Sequence, residues 1–230
     1  MKLFSLRLPF VLCFVMSFFM VTACTPTESH RVVAVHKVES AASSYSGSKS
    51  TLVVGAFENR SSYMQGLFSS NTDRLGNQAK TILKTHLQQT NRFTVVDRDN
   101  MQQIATEAKL RGVEQNLSGA RYTVTGSVTE FGRKETGDHQ LFGILGSGKQ
   151  QIAYAKVSLN IVDVFTSEII YSAQGAGEYQ LNSREVVGFG SSASYDATLN
   201  GKVLNFAITE VVNIMVSDLQ SGVWTASDAE

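Results

Sequence analysis

The chain has 230 residues, a formal net charge of zero and only 17% charged residues. A nucleic-acid-binding domain needs a basic excess to neutralise phosphates, so the balanced charge argues against nucleic acid as a partner. Apolar residues make up 43% of the sequence, which is enough for a hydrophobic core and argues against a wholly disordered chain. The length allows one or two domains.

The N-terminus has the layout of a secretory signal. Lys2 and Arg7 precede an apolar run from 8 to 20, which is too short to span a bilayer comfortably. Residues 21–23 read Val-Thr-Ala before Cys24, and small residues directly before a cysteine resemble the bacterial lipobox. We therefore predict that residues 1–23 are a signal peptide and that Cys24 is lipidated. The alternative is a plain signal peptide with a chance cysteine.

Lipidation at Cys24 sets the expected location and partners of the mature chain. Two or more acyl chains hold a protein stably on a bilayer, at about 0.8 kcal/mol per buried CH₂. Thr25 stands where an Asp usually retains lipoproteins in the inner membrane. By this resemblance the chain is lipid-anchored to the outer membrane of a Gram-negative envelope and faces the periplasm. Cys13 leaves with the signal peptide, so no free thiol remains for a disulfide or a metal.

The domain boundaries follow from composition. Residues 24–50 are rich in serine and lack a sustained period, which predicts a tether, with a short strand at 32–38 as an alternative within it. The folded domain is predicted at 51–224 and a tail at 225–230.

The first half of the domain has a β-α-β-α-β order, which favours a small α/β domain. In chain order we predict a strand at 52–57, a helix at 73–89, a strand at 93–96, a helix at 100–110 and a strand at 122–130. His86 is expected on the solvated flank of the first helix. The second helix is expected to turn an apolar face inward. That face contains Met101, Ile104, Ala105 and Ala108.

The second half alternates apolar and polar residues. The run 152–164 turns Ala153, Ala155, Val157, Leu159 and Ile161 to one side. The run 169–181 does the same with Ile169, Tyr171, Ala173, Tyr179 and Leu181. Such alternation is typical of a sheet with one face on a core, and also of membrane hairpins. A mostly buried helix is predicted at 198–219. Its polar residues form one narrow stripe, made up of Lys202, Asn205, Thr209, Asn213 and Ser217.

No residue pattern indicates an active site, so no enzyme, cofactor or metal is predicted. None of the four histidines is paired with another at metal-ligand spacing. Gly188-x-Gly190-x-x-Ala193 lies within an alternating strand, not between a strand and a helix. Ser46-x-x-Lys49 lies in the predicted tether, where no catalytic geometry can be held.

Several short segments, in order, resemble the curli-secretion lipoprotein family (CsgG-like, including holdfast-attachment relatives). The segment 157–169, VSLNIVDVFTSEI, is similar to the family signature V-x-L-x-V-V-x-V-x-T-G-E-[IV], with Ser167 in place of Gly. The other similar segments are FGI at 142–144, VTGSV at 124–128, FTVVDR at 93–98 and GVW at 222–224.

The resemblance implies a small periplasmic α/β domain, a mixed sheet packed by helices, with two β-hairpins that join a shared oligomeric transmembrane β-barrel. The hairpins fall at about 131–157 and 173–197. The chain is then expected to form a homo-oligomeric ring, because unpaired strand edges cannot face lipid. The membrane-hairpin candidates are Phe142, Ile144, Tyr179, Leu181, Val187, Phe189 and Tyr195.

The family narrows its pore with a loop after the first strand that carries an aromatic, an Asn and a Phe. An ungapped alignment of 58–87 puts Gly66, Ser70 and Asn71 at those positions, and none of them matches. Tyr63 and Phe68 are nearby aromatics that can substitute, so all five are pore-loop candidates.

Two functions remain open at this point. In the first, the chain is an outer-membrane secretion channel or assembly component that exports or anchors extracellular fibre or adhesin subunits, with periplasmic accessory proteins. In the second, it is a non-pore lipoprotein that faces the periplasm and regulates an envelope enzyme such as a cell-wall synthase. On strand pattern alone, an ordinary sheet with one face on the core is favoured over inserting hairpins. The family resemblance shifts the prediction towards hairpins that can insert, so the first function is the one we predict and the second is the alternative.

Overall fold

The computed structural model describes residues 36–63, 73–139, 147–184 and 199–226. The chain divides into two units, Met1–Val35 and His36–Glu230, and every described residue belongs to the second. Its strands are β1 (Ser50–Asn59), β2 (Phe93–Val96), β3 (Tyr122–His139), β4 (Ser147–Asp163) and β5 (Ile169–Arg184). Its α-helices are α1 (Arg74–Gln89), α2 (Met101–Leu110) and α3 (Leu199–Ser221). A 3₁₀ turn at Glu39–Ala42 precedes them.

The five strands form one mixed sheet in the order β2-β1-β3-β4-β5. Strand β1 is parallel to both of its neighbours, while β4 is antiparallel to its neighbours β3 and β5. Parallel neighbours need a long crossover, and α1 and α2 lie in those connections. This arrangement confirms the predicted α/β class with a mixed sheet and helices.

The core lies between one face of the sheet and the helices α1 and α3. From Ala153 to Ile161 every second residue of β4 is buried, which confirms the predicted alternation over this stretch. The buried β4 side chains are Ala153, Ala155, Val157, Leu159 and Ile161. None of the helices in the described part of the chain is long and apolar enough to cross a bilayer.

Helix α2 corrects one expectation. None of its residues is buried, and Met101 and Ile104 are 37% and 43% exposed. The predicted inward face is therefore wrong. Helices α1 and α3 already cover the core face of the sheet. The predicted apolar face of α2 is also small, because half of its members are alanines.

His86 corrects a second expectation, because its side chain is only 2% exposed. Its Nε2 lies 2.8 Å from the Asn205 side-chain oxygen and 3.2 Å from the Thr209 hydroxyl. Both partners belong to the polar stripe of α3. The imidazole therefore sits between α1 and α3 as a satisfied core group.

Ile169 is the third correction, since it is 60% exposed instead of facing the core with Tyr171. The ladder between β4 and β5 shifts register between the Ile161–Tyr171 and Val162–Ile169 pairs. Two β5 residues therefore oppose one β4 residue, and the bulge turns Ile169 to the other face.

Part of the stretch expected to be a tether lies on the domain. Val38 is 2% exposed and belongs to the core cluster, and Ser50 already starts β1. The amide of Glu39 donates to the Asn213 side chain on α3, at 3.1 Å.

Candidate functional site

Strands β3 and β4 form a long hairpin, and these two strands and β5 are far longer than β1 and β2. Their ladder runs from the Tyr122–Asp163 pair to the His139–Ser147 pair. The 18 residues of β3 reach about 59 Å at about 3.3 Å per residue, whereas β2 has 4 residues. We call the described part of this hairpin beyond Glu130, together with β5 from Ala173 onward, the sheet extension.

The loop after β1 meets the sheet extension through Tyr63. The ring of Tyr63 lies 4.6 Å from the ring of Phe131, and its hydroxyl accepts a hydrogen bond from the Asn200 amide at 3.3 Å. Arg133 donates to the oxygen of the same amide, at 3.0 Å from Nε and 2.6 Å from Nη2. The start of α3, the loop and the hairpin are therefore joined at one point.

Sequence reasoning missed Arg133 and Asn200, which lie 67 residues apart and carry no local spacing signal. Tyr63 is the one pore-loop candidate within the described residues. The other pore-loop candidates, which lie outside the described residues, are Gly66, Phe68, Ser70 and Asn71.

Helix α3 lies directly on β5 at two glycines. A Cβ at Gly175 would be 2.5 Å from the backbone nitrogen of Val211. A Cβ at Gly177 would be 2.7 Å from the backbone nitrogen of Ala207. These glycines weaken a strand in isolation, but here their missing side chains make the groove in which α3 sits.

Tyr179, a membrane-hairpin candidate, packs on the same helix. Its ring is nearly parallel to that of Phe206, at 6.3 Å between centroids, and the ammonium of Lys202 lies 5.1 Å from its centre. Leu181 has its backbone in β5, but its side chain lies outside the described residues. The remaining candidates lie outside them as well, and these are Phe142, Ile144, Val187, Phe189 and Tyr195.

The opposite face of the sheet extension is polar. Lys156 donates to the Glu130 carboxylate at 2.6 Å, and Gln174, Glu178 and Gln180 are exposed on β5. The described part of the extension thus has its apolar side on α3 and its polar side outward. This is the pattern of an ordinary sheet with one face on the core.

Tyr171 and Asp97 are ionisable groups with shifted pKa values, and both are hydrogen-bonded to neighbouring side chains of the fold. The Tyr171 hydroxyl donates to Asp218 at 2.7 Å, and burial, followed by this hydrogen bond, raises the pKa of the phenol far above its ordinary value. A hydrogen bond from Asn100, helped by contacts with the Asp99 amide and Lys84, outweighs partial burial and lowers the pKa of Asp97 to about 2. Among the described residues no group of three or more His, Cys, Asp or Glu is placed to hold a metal.

A protein-family model matches most of the chain. Residues 31–230 match the model of the family described as "Curli production assembly/transport component CsgG". The chain belongs to the CsgG family. The resemblance expected from the short segments is thereby confirmed.

A curated relative supports the same assignment. The chain is 60% identical over 203 residues to a protein of Neisseria meningitidis serogroup B described as a lipoprotein, NMB1126/NMB1164. The match covers 88% of this CsgG-family chain and 91% of the relative.

Solved structures resemble the chain only distantly. A dodecamer of PelC from Paraburkholderia phytofirmans is 15% identical, with 72% of this chain and 87% of that chain covered and a TM-score of 0.35. The C-terminal domain of LpoB from Salmonella enterica is 20% identical, with 55% and 81% covered and a TM-score of 0.30.

Proposed function

We propose that this chain is an outer-membrane lipoprotein, anchored through acyl chains on Cys24, whose domain faces the periplasm and binds and regulates an envelope partner such as a cell-wall synthase. It acts as an assembly component without lining a pore. The observation that carries the proposal is the cover that α3 provides over the apolar face of β4 and β5. A strand whose apolar face is already buried has none left to offer to lipid.

The composition of the segments 135–151 and 181–198, which overlap the hairpins expected at 131–157 and 173–197, supports the proposal. Charged residues fall along both, at Glu135, Asp138 and Lys149 in the first and at Arg184, Glu185 and Asp196 in the second. Four of the apolar residues of the first segment are clustered at 141–145 instead of alternating along its length. A lipid-facing band needs an apolar residue at every second position over about 25 Å.

The second candidate is a channel subunit that contributes its hairpins to a homo-oligomeric ring and exports fibre or adhesin subunits. The family description, which names transport beside assembly, and the long β3–β4 ladder favour it. In this candidate a single subunit holds the hairpins against its own domain, and α3 must leave Tyr179 before they insert.

The two candidates differ in what the purified, lipidated protein forms. We expect small particles without a central hole by light scattering and negative-stain imaging, and no conductance in planar bilayers. Rings with a central hole, together with channel conductance, would replace the proposal by the second candidate. A Cys24→Ala variant serves as the control for the anchor, and we expect it to leave the membrane fraction.

Partner binding is tested by photo-crosslinking in living cells. A photoreactive residue at Gln174, on the exposed face of β5, is expected to capture an envelope enzyme, and one at Thr85, on the exposed side of α1, is not. Equal labelling from both positions, or none from Gln174, would count against this face as the binding surface.

A further inference from the structure

A cavity of about 380 Å³ lies between the N-terminal 3₁₀ turn and helix α3. It is open to solvent on one side and is lined mainly by small polar side chains. Its lining is Glu39, Ser40, Ser43, Ser44, Arg92, Asn213, Val216, Ser217 and Gln220. The cavity lies apart from the sheet extension, and none of its residues was predicted from the sequence to have a function.

Arg92 is the basic group of this cavity, and it is only 2% exposed. Its guanidinium donates to the Thr90 carbonyl at 2.6 Å, to the Ser43 hydroxyl at 2.9 Å and to the Ser40 carbonyl at 3.4 Å. With the Gln220 amide oxygen turned towards it, that oxygen accepts at 2.6 Å from Nη2 and 3.3 Å from Nε. Every one of these acceptors is neutral.

No Asp or Glu in the described part of the chain forms an ion pair with Arg92. A buried charge is costly unless an opposite charge offsets it. The Tyr45 ring, 5.3 Å from the guanidinium carbon, supplies only a weak substitute. Arg92 is therefore a buried positive charge that no carboxylate of the described residues contacts at ion-pair distance.

We propose that this cavity binds the phosphate group of a small organic phosphate, with Arg92 as its counter-charge. The guanidinium fork matches phosphate in a bidentate manner. Among the described residues the buried Ser40 hydroxyl has no hydrogen-bond partner, so it gains one if a ligand oxygen reaches it. Gln220 is exposed, and an incoming phosphate oxygen takes the place of its amide oxygen.

The rim of the cavity narrows the class of ligand. Glu39 lies on the lining and is exposed, and its carboxylate disfavours a dianion more than a singly charged phosphate. The volume exceeds that of a free phosphate ion and leaves room for an attached organic group. A phosphodiester, which carries one negative charge, fits both constraints.

Isothermal titration of the full lipidated protein in non-ionic detergent tests the site. The probes are glycerophosphoglycerol, inorganic phosphate and, at equal ionic strength, chloride. We expect the diester to bind, and Arg92→Lys and Ser40→Ala to weaken it, the first by about tenfold or more. Glu39→Gln is expected to strengthen binding, and Arg60→Gln, at an exposed arginine paired with Glu58, to leave it unchanged.

Vesicles separate the two sources of a phosphodiester. If the protein lacking its lipid sediments with phosphatidylglycerol vesicles in an Arg92-dependent manner, the ligand is a lipid headgroup, and if only the soluble diester binds, it is a free metabolite. Diester binding that survives Arg92→Lys and Ser40→Ala unchanged, or no binding by any phosphate probe, would overturn the proposal. Because Glu39→Gln removes only a rim charge, it remains informative where Arg92→Lys fails to fold. Both outcomes are independent of whether the protein forms a pore.

Discussion

Ser167 holds a backbone conformation that an L-residue rarely adopts, with a φ of 62° in the turn between β4 and β5. This is the position at which the family signature has glycine. Its amide donates to the Asp163 carbonyl at 2.9 Å, so the turn fixes the conformation. The position at which the sequence departs from the family signature is therefore also a position of backbone strain.

Replacing Ser167 by glycine is expected to stabilise the domain. The left-handed conformation costs an ordinary residue about 1–2 kcal/mol, and the greater freedom of glycine in the unfolded chain returns part of that. We expect a net gain of about 0.5–1 kcal/mol in the free energy of unfolding, measured by urea titration. Ser118→Gly, at a position without a positive φ, should give no gain; an equal gain there would contradict the explanation.

Asp163 gives the same turn a pH dependence. Partial burial acts to raise the pKa of its carboxyl group, but the amides of Phe165 and Thr166 and the guanidinium of Arg121 outweigh it and hold the pKa below its ordinary value. The carboxylate accepts from the Phe165 amide at 2.7 Å and from Arg121 Nε at 3.0 Å. These contacts favour the charged form in the folded state only.

A carboxyl group with a lowered folded-state pKa stabilises above its unfolded pKa of about 3.9, and this contribution is lost as the pH falls through the folded value. We expect Asp163→Asn to unfold at lower urea than the parent at pH 7, and the difference to shrink below about pH 4. Glu168→Gln, in the same turn, is the control. A difference that persists unchanged into acid would assign the effect to something other than the charge.

His86 shows why single side chains resist prediction. From its position on the first helix we predicted a solvent-exposed side chain. The polar stripe of α3 was also visible in the sequence. The two belong together, because Asn205 and Thr209 supply its hydrogen bonds across more than 100 residues of chain. No local pattern indicates which polar residues of two helices will meet.

At the level of elements, the close contact between α3 and β5 depends on glycine. The backbone of α3 approaches β5 at Gly175 and Gly177, where any side chain would overlap the helix backbone. Gly222 directly follows the last residue of α3 and has a φ of 78°. The chain turns there, and Trp224 returns to the core. The Trp224 indole donates to the Met215 carbonyl at 3.1 Å, which gives the terminal G-x-W segment a structural role.

Gly175→Ala is expected to destabilise the domain strongly. The added Cβ meets backbone atoms of α3, which cannot move aside as a side chain can, so the overpacking cost is at the upper end of about 1–3 kcal/mol. Thermal unfolding followed by circular dichroism measures the loss. Gly132→Ala is the matched control, since its Cβ meets only the movable ring of Tyr154. Equal losses in both variants would show that α3 does not rest on β5 as described.

The elements differ in how far the sequence predicted them. Strict alternation defined β4 and its buried face, and the span of β2 was predicted to the residue. The apolar face of α2 was also a real pattern, but a pattern does not show whether a partner is left to cover it. The bulge that exposes Ile169 arises from pairing between two strands, which neither strand encodes alone.

For the whole molecule, the family membership is compatible with a channel, whereas the cover of α3 over β5 favours a domain that does not insert into the membrane. The CsgG family is described by both assembly and transport, and the long β3–β4 hairpin is compatible with either. The contacts of Gly175, Gly177 and Tyr179 with α3 favour the proposed domain, in which α3 stays on β5, over a subunit that inserts its hairpins. The central claim is therefore that α3 remains on β5 when the lipidated protein is at the outer membrane.

In-cell crosslinking tests this claim most directly. Tyr179→Cys and Phe206→Cys place two thiols at the partly exposed contact between β5 and α3, and Cys13 and Cys24 are the only cysteines of the natural sequence. A short thiol-specific crosslinker is added to cells, and the crosslinked fraction is measured in the membrane-bound protein. The two single-cysteine variants are the controls.

We predict the same intramolecular crosslink in the outer-membrane protein as in a version without Cys24 that is exported behind a non-lipid signal. A crosslink that forms in the unanchored version but is lost from the membrane-bound protein would show that α3 leaves β5 on assembly. That result would contradict the account and favour the channel.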